Sequence, residues 1–407
     1  MSDNLSNLRF RSHEWGGCKD GAGKVTGRAY DVAVIGSGVF GAWAAYKLRQ
    51  AGASVVLIDK YGAGNSLASS GGESRIMRRG YGPDEIYSQS AERSLAQWRD
   101  LSDRSPQPLF YPAGALWLAR ENDPYSVSTL KTFERMGLRF EKLDLAEFSE
   151  RYPQIRTGPI GWAILERDAG VLMARRAVKC VAQEAEKAGV NYRNECVLPP
   201  TGEGKLRCVV TATGLEIEAE TFVFACGPWL PKLFPDVLDK VIHVTRQEVF
   251  YLAVAPGDES FSPPAMPVWI DFNDLVYAIP NIEDRGFKIA IDAHGPEFDP
   301  DTGNRTATKE GLKAVREYLS QRIPRLANAE LLSSEVCQYE NTSNGDFLID
   351  WHSYRKNVLL VGGGSGHGFK HGPAIGDYVV SLISRTGAPE PRFALSNKQA
   401  THRREVY

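Results

Sequence analysis

Residues 30–59 of the 407-residue chain read YDVAVIGSGVFGAWAAYKLRQAGASVVLID. The apolar run Tyr30–Ile35 predicts a fully buried strand, and Val39–Ala51 predicts a helix. Ser54–Ile58 predicts a second buried strand, and Asp59 stands at its end. The glycine loop GSGVFG joins the first strand to the helix. This order of elements within about 30 residues is typical of a dinucleotide-binding βαβ unit.

The three glycines of this loop suit the binding of a diphosphate. Gly36 permits a tight turn, Gly38 lets the backbone approach the anion, and Gly41 lets the helix pack on the strand. The helix N-terminus adds N–H donors, and Asp59 is placed to accept a hydrogen bond from a ribose hydroxyl. The alternative is that the glycines only form a tight turn. The residues predicted to bind the dinucleotide here are Gly36, Ser37, Gly38, Val39, Phe40, Gly41, Asp59 and Lys60.

The glycine loop alone does not distinguish FAD from NAD, but two later segments favour FAD. Thr221–Ala225 predicts a buried strand that leads into Cys226-Gly227-Pro228-Trp229. Val361–Lys370 is a second glycine-rich loop, and it opens a helix near the end of the sequence. A small nicotinamide enzyme has no need of this second loop, whereas a flavin ring needs a segment that closes over its far end.

The composition excludes several classes of function. The formal net charge is −2, so no global basic field would attract nucleic acid or an acidic membrane. The longest apolar runs have the length of strands, far below the ~20 residues of a membrane span. The six cysteines are dispersed, without zinc spacing, so we expect no metal site and a reducing, cytoplasmic setting.

The order of predicted elements indicates an α/β fold with α+β elements: a Rossmann-like FAD-binding domain and a second domain with a mainly antiparallel sheet. Residues 1–28 are polar and predict a loosely ordered extension. Leu206–Val210 and Leu215–Ala219 predict a hairpin. We expect the FAD-binding domain to be discontinuous, because strand and helix patterns of the α/β type return late in the sequence. Its predicted segments are residues 29–90, 155–240 and 335–390. Those of the substrate domain are residues 91–154 and 241–334.

Six motifs resemble the D-amino-acid oxidase superfamily, and most closely its monomeric sarcosine oxidase branch, which includes fructosyl-amino-acid oxidases. The resemblance covers about residues 29–385, and the motifs are specific to the branch only in combination. They are the loop at Gly36, Ser69–Arg78, Asp168–Val171, Phe224–Trp229, Cys337–Tyr339 leading to Asp346–Asp350, and Gly366–Lys370.

The resemblance implies that Cys337 bonds covalently through its sulfur to the 8α-methyl group of the flavin. Without the resemblance, a buried apolar cysteine would be the simpler interpretation. The further residues that it implies around FAD are Ser74, Arg75, Val197, Cys226, Gly227, Trp229, Gly364, Gly366, His367, Gly368, Phe369 and Lys370. His367 could equally have a structural role.

The resemblance also implies catalytic residues. Lys288 matches a lysine that assists the reduction of O2, where a fixed cation stabilises the developing superoxide. Arg75 matches an arginine near the flavin, and Tyr277 and Tyr339 match tyrosines that line the pocket. The alternatives are a surface lysine for Lys288 and half-buried structural aromatic residues for the tyrosines.

Arg78 and Lys370 match two cations that hold the carboxylate of the substrate, although both could instead form solvated surface pairs. The sarcosine oxidase pattern has a histidine where this chain has Gly71, and another where it has Asp292. His294, two positions later, could restore a histidine by a shift of register. We therefore expect Asp292 to contact the substrate, and a larger, cationic or polyhydroxylated N-substituted amino acid to fit better than sarcosine.

The sequence thus predicts a monomeric FAD-dependent oxidase of a secondary amino acid. The C–N bond would be oxidised to an imine that hydrolyses, and O2 would be reduced to H2O2. One alternative is a dehydrogenase that passes electrons to an acceptor other than O2. Another is a flavoprotein that serves as a non-catalytic subunit of a complex.

Overall fold

The computed structural model describes residues 30–400, so the predicted extension at residues 1–28 lies outside the described residues. The strands are β1 (Tyr30–Ile35), β2 (Val55–Asp59), β3 (Arg75–Met77), β4 (Phe110–Tyr111), β5 (Ala115–Ala119), β6 (Glu141–Asp144), β7 (Trp162–Glu166), β8 (Gly170–Leu172), β9 (Asn191–Asn194), β10 (Cys208–Val210), β11 (Glu216–Phe224), β12 (His243–Leu252), β13 (Val268–Asp271), β14 (Val276–Ile279), β15 (Phe287–Ile291), β16 (Leu331–Asn341), β17 (Leu348–Trp351) and β18 (Val358–Gly362). The helices are α1 (Val39–Gln50), α2 (Glu85–Arg104), α3 (Pro124–Met136), α4 (Leu145–Arg151), α5 (Ala174–Lys187), α6 (Leu230–Leu233), α7 (Pro235–Leu238), α8 (Lys309–Arg322) and α9 (Gly372–Ile383).

The chain folds into two compact units, each made of separated segments. Within the described residues, the first unit comprises 30–71, 175–243 and 340–400, and the second comprises 72–174 and 244–339. No helix in residues 30–400 has both the length and the apolar composition needed to cross a membrane.

The first unit is built on a mainly parallel sheet with the order β17-β18-β11-β1-β2-β9, and β10 pairs with β11 at one side. β1 is parallel to both β11 and β2, and only β17 and β10 are antiparallel to their neighbours in this sheet. Val32–Ile35 of β1 are buried on both faces, which explains the unbroken apolar run in the sequence. The Rossmann-like α/β fold expected from the sequence is confirmed.

β11 differs from the sequence prediction, which placed one strand at Leu215–Ala219 and another at Thr221–Ala225. A single strand of nine residues, Glu216–Phe224, covers most of both segments. Its first half pairs with β10 and its second half with β18, while β1 pairs along Ala219–Phe224. The pairing partner changes along the strand although the backbone does not turn.

The second unit contains an eight-stranded sheet with the order β16-β12-β15-β14-β13-β5-β7-β6, and a small sheet β3-β8-β4. From β12 to β6, neighbouring strands of the large sheet are antiparallel, except that β13 and β5 are parallel. The expectation of a mainly antiparallel second sheet is confirmed. Side chains of the large sheet and of α8 form one apolar core, which includes Trp269, Phe287 and Leu319.

The second unit extends beyond the segments 91–154 and 241–334 that the sequence suggested for the substrate domain. It also includes residues 72–90, 155–174 and 335–339. β7 pairs with β5 and β6, and β8 pairs with β3 and β4, which holds the added segments in this unit. β3 and β8 have three residues each, too few to show the alternation of apolar and polar residues that indicates a strand. The sequence alone therefore gives weak evidence for their pairing.

Candidate active site

In the first unit, the glycine loop joins β1 to α1 in a geometry that requires two of its three glycines. Gly36 has a φ of +99°, and a Cβ there would lie 2.4 Å from the carbonyl oxygen of Ala225. A Cβ on Gly41 would overlap the carbonyl oxygen of Gly36 at 1.8 Å. The turn and the packing of α1 therefore explain both residues without any ligand.

Gly38 is different, because the fold does not require a glycine there. Its backbone is extended, with φ −63° and ψ −179°, and a Cβ would meet only the hydroxyl of Ser70 at 3.5 Å. The same hydroxyl accepts a hydrogen bond from the backbone N–H of Val39 at 3.1 Å. A glycine that the protein itself does not need fits a ligand that approaches the backbone, as the diphosphate of a dinucleotide does.

Asp59 lies at the end of β2, beside the loop. Its carboxylate accepts hydrogen bonds from the backbone N–H groups of Ser37 at 2.7 Å, Tyr61 at 2.8 Å and Gly62 at 2.7 Å. These bonds fix the carboxylate, and its two oxygens retain acceptor capacity for a ribose hydroxyl. The ammonium of the exposed Lys60 lies 4.6 Å from the ring centre of Tyr61.

The segment after β11 borders the first glycine loop. Burial, with contributions from Asp59 and Glu340, raises the pKa of the Cys226 thiol well above its ordinary value, and the thiol donates to the carbonyl of Ile35 at 3.3 Å. Gly227 has a φ of +51°. Of the other residues predicted near FAD in this unit, Val197 forms an isolated bridge with Thr211, and the Trp229 ring lies 6.0 Å from that of Tyr61.

The second glycine loop follows β18 and is tightly packed. Its backbone turns at Gly363, Ser365 and Gly366, all with positive φ. The imidazole of His367 stacks on Phe347 with 4.9 Å between ring centres. The ammonium of Lys370, which is only 4% exposed, donates to the carbonyl of His367 at 2.9 Å. Gly364, Gly368 and Phe369 complete the loop.

In the second unit, strand β15 carries a buried lysine. Lys288 is 1% exposed, and its ammonium donates to the carbonyl of Ser74 at 2.8 Å. Burial and then the neighbouring Arg75 lower the pKa of Lys288 to about 7, although Glu335, Cys337 and Glu73 act in the opposite direction. A surface lysine was the alternative interpretation of this residue, and its burial argues against that interpretation.

Arg75 of β3 connects this lysine to the cysteine predicted to bond to the flavin. Its guanidinium donates to the Sγ of Cys337 on β16 at 3.2 Å. Burial lowers the pKa of Arg75, but Cys337 and the phenols of Tyr277 and Tyr339 raise it by more, so the guanidinium remains charged. The hydrogen bond thus fixes the position of the sulfur that is predicted to bond to the flavin.

Two tyrosines and a carboxylate form a hydrogen-bonded chain in the same cluster. The hydroxyl of Tyr339 donates to the carboxylate of Asp292 at 2.7 Å, and a hydrogen bond joins the phenols of Tyr277 and Tyr339. Burial, followed by Asp292, raises the pKa of both phenols. Both therefore stay protonated at neutral pH and can donate hydrogen bonds.

Two members of this cluster, Tyr251 and Glu335, were not predicted from the sequence. Tyr251 faces Lys288 across the β12–β15 pair, with its ring centre 5.8 Å from the ammonium. Its hydroxyl donates to Glu335 at 3.5 Å. Only the register of β12 against β15 could have revealed Tyr251, and no sequence motif marks either residue.

Arg78, which the sequence predicts to bind the carboxylate of a substrate, is 6% exposed. Its guanidinium lies 4.3 Å from the ring centre of Tyr81, 5.0 Å from that of Trp117 and 5.3 Å from that of Phe272, and it donates to the carbonyl of Gly80. The guanidinium of Arg78 is thus surrounded by aromatic rings of the second unit. Lys370 belongs to the first unit.

Comparison with protein families gives the decisive observation. The family model for FAD dependent oxidoreductases matches residues 31–382. The chain belongs to this family. The requirement for FAD that the two glycine loops predicted is thereby confirmed, and so is the assignment as an FAD-dependent oxidoreductase.

Two named oxidases resemble the chain over most of its length. A monomeric sarcosine oxidase from a Bacillus species is 28% identical over 370 residues, which are 89% of this chain and 93% of that protein. An N-methyl-L-tryptophan oxidase from Citrobacter koseri is 27% identical and covers 86% of this chain and 93% of its own length.

Solved structures show the same fold. The crystal structure of an L-proline dehydrogenase from P. horikoshii superimposes with a TM-score of 0.76 at 21% identity, and covers 90% of this chain and 97% of that one.

In the present chain, Gly38 and the fixed Asp59 fit the diphosphate and a ribose of FAD. No group of three or more His, Cys, Asp or Glu side chains in residues 30–400 could hold a metal ion.

Proposed function

We propose that the protein is an FAD-dependent oxidase of an N-substituted amino acid. The substrate loses two electrons and two protons across its Cα–N or N-alkyl C–N bond, and the resulting imine is hydrolysed to an amine and a carbonyl compound. FAD, when bound, supplies the two-electron acceptor and returns the electrons to O2, which takes up two protons to become H2O2. Each cycle therefore consumes one substrate, one O2 and one water.

The cluster around Lys288 is the observation that carries this proposal. It combines a buried amine whose pKa is about 7 with a guanidinium that stays charged, and the guanidinium acts on the pKa of the amine. A fixed positive charge in a site that excludes water stabilises an anion such as superoxide as it forms. The sarcosine and N-methyl-L-tryptophan oxidases support the same reaction class, because both are named as oxidases of N-methylated amino acids.

The hydrogen-bonded chain of Tyr277, Tyr339 and Asp292 suits the amine of the substrate. A protonated phenol can orient the nitrogen, and the carboxylate at the end of the chain can accept a proton through Tyr339. Arg78 and Lys370 stay our predicted partners of the substrate carboxylate. Arg78 donates to the carbonyl of Gly80, and a guanidinium has further N–H donors for a carboxylate. Covalent attachment of FAD at Cys337, the use of O2, a monomeric state and a cytoplasmic setting belong to the same proposal.

A screen for H2O2 release tests the proposed reaction. The purified protein would be incubated in air with N-methyl amino acids, cyclic secondary amino acids and glycated amino acids, with the matching primary amino acids as controls. We expect H2O2 from at least one N-substituted compound and much less from its primary counterpart. Reduction of an added dye by these substrates without any H2O2 would instead favour the dehydrogenase alternative.

Asp292 should set the preference among these substrates. Replacing Asp292 with asparagine should lower kcat/KM for substrates with a second positive charge by about 10- to 100-fold relative to uncharged ones, because a charged hydrogen bond is lost. The comparison would use N-methyl derivatives of a basic and of an aliphatic amino acid. The matched control is Glu317→Gln on α8, whose carboxylate is exposed. An equal loss for both substrates would contradict a role in selectivity.

A further inference from the structure

Glu340 is a buried acid in the first unit that the proposed reaction does not use. It is the first residue of the third segment of this unit, and it is 9% exposed. Its Oε2 atom has no hydrogen-bond partner in the described part of the chain. Burying a carboxyl oxygen without a partner costs free energy, so its presence calls for an explanation.

The surroundings of Glu340 are made of glycines from both loops that follow the parallel strands. Its carboxyl oxygens lie 3.5 Å from an ideal Cβ on Gly227, 3.4 Å from one on Gly362 and 3.2 Å from one on Gly364. The backbone N–H groups of Gly363 and Gly364 donate to the carboxyl group. The three glycines thus place no side chain of their own against the carboxyl group, so a ligand could approach it there.

No cation of the described chain explains the buried acid. Burial raises the pKa of Glu340 to about 7, the two backbone donors oppose this rise, and no lysine, arginine or histidine contributes to the shift. A carboxyl group kept for stability alone would be expected to have a paired cation or full hydrogen bonding. The unfilled acceptor points instead to a donor that is not part of the protein.

The order of strands indicates which part of FAD would lie beside Glu340. The sheet places Asp59 at the end of β2, the Gly36 loop at the end of β1, and Glu340 between the loops that follow β11 and β18. Neighbouring strands are about 4.8 Å apart. If Asp59 takes the ribose and the Gly36 loop takes the diphosphate, the next segment of FAD in this direction is the ribityl chain. Its hydroxyl groups are donors, whereas a phosphate would repel a carboxylate.

We propose that Glu340 is a cofactor-binding residue whose Oε2 accepts a hydrogen bond from a ribityl hydroxyl of FAD. The inference depends on membership of the FAD family and is independent of the substrate proposed above. Binding of FAD would satisfy the buried oxygen, so part of the binding free energy would come from removing an unsatisfied group of the protein.

The test compares FAD with ADP, which has the adenosine and the diphosphate but lacks the ribityl chain and the flavin. The full-length chain would carry Cys337→Ser, so that FAD can dissociate, and Kd would be measured for both ligands. Adding Glu340→Leu should weaken FAD by about 10- to 100-fold and leave the Kd of ADP unchanged. Glu340→Gln should recover most of the affinity, because the amide oxygen still accepts a hydrogen bond.

A purely structural role predicts different results. It would make Glu340→Leu lower the thermal midpoint of the FAD-free protein and weaken FAD and ADP to the same extent. Our proposal predicts an unchanged or higher midpoint, because a buried acid without a partner is removed. The matched control, Glu218→Gln on β11, changes a partly exposed carboxylate and should alter neither ligand. Equal affinity of the Glu340→Leu and parent chains for FAD would overturn the proposal.

Discussion

Replacing Lys288 with methionine should slow the reoxidation of the reduced enzyme by O2 by about 100- to 1000-fold. The ammonium of Lys288 is buried beside Arg75, so its charge acts in a medium of low polarity. Methionine has a similar length but no charge. The rate at which the substrate reduces the enzyme should change far less, because that step creates no superoxide. Stopped-flow measurement of the two half-reactions separates these effects.

The pH dependence gives a second readout of the same residue. With a pKa of about 7, Lys288 is charged below neutral pH and neutral above it, so the rate with O2 should fall as pH rises through about 7. This dependence should disappear in Lys288→Met. The control Lys313→Met removes a charge from an exposed position on α8 and should leave both half-reactions unchanged. An unaltered rate with O2 in Lys288→Met would favour the dehydrogenase alternative.

Replacing Cys337 with serine should abolish covalent attachment of the flavin completely. The Sγ of Cys337 accepts a hydrogen bond from Arg75 at 3.2 Å, which holds the sulfur in place. Serine has nearly the same size but is a much weaker nucleophile at neutral pH. After acid precipitation, the pellet of the parent protein should be yellow. The Cys337→Ser pellet should be colourless, with free FAD in the supernatant.

A matched variant separates this loss from a general effect of removing a thiol. Cys180 on α5 is, like Cys337, a cysteine of intermediate exposure outside any disulfide, and Cys180→Ser should give a yellow pellet like that of the parent. A colourless pellet from yellow parent protein would refute covalent attachment at Cys337. The assignment to the FAD family would stand in that case, because it rests on the match over residues 31–382.

The first unit was largely predictable because its signals are local. Strand, glycine loop, helix and strand follow each other within residues 30–59, and the predicted helix Val39–Ala51 differs from α1 by one residue at its end. Gly36 has a positive φ, a conformation that favours glycine, so the residue type itself indicates the turn. β11 was divided wrongly because a change of pairing partner leaves no mark along the strand.

The cluster around Lys288 was less accessible, because its members are far apart in the sequence. Lys288 and Cys337 lie on two strands of the large sheet, whereas Arg75 comes from the small sheet and reaches Cys337 through its side chain. The resemblance to sarcosine oxidases was needed to single these residues out. Tyr251 and Glu335 have ordinary surroundings in the sequence, and only the register of β12 with β15 reveals the first of them. Glu340 was missed for a different reason: a glutamate in a strand normally indicates an exposed position, and burial without a partner is a property of the fold alone.

The most direct test of the proposed oxidation of N-substituted amino acids follows the flavin itself. Purified protein would be mixed with an N-methyl amino acid in the absence of O2, and air would then be admitted. Our account predicts that the visible absorption of the oxidised flavin disappears on mixing and returns in air, with one H2O2 formed for each substrate consumed. A flavin that remains oxidised with every N-substituted amino acid, but is reduced by a donor without a C–N bond, would contradict it.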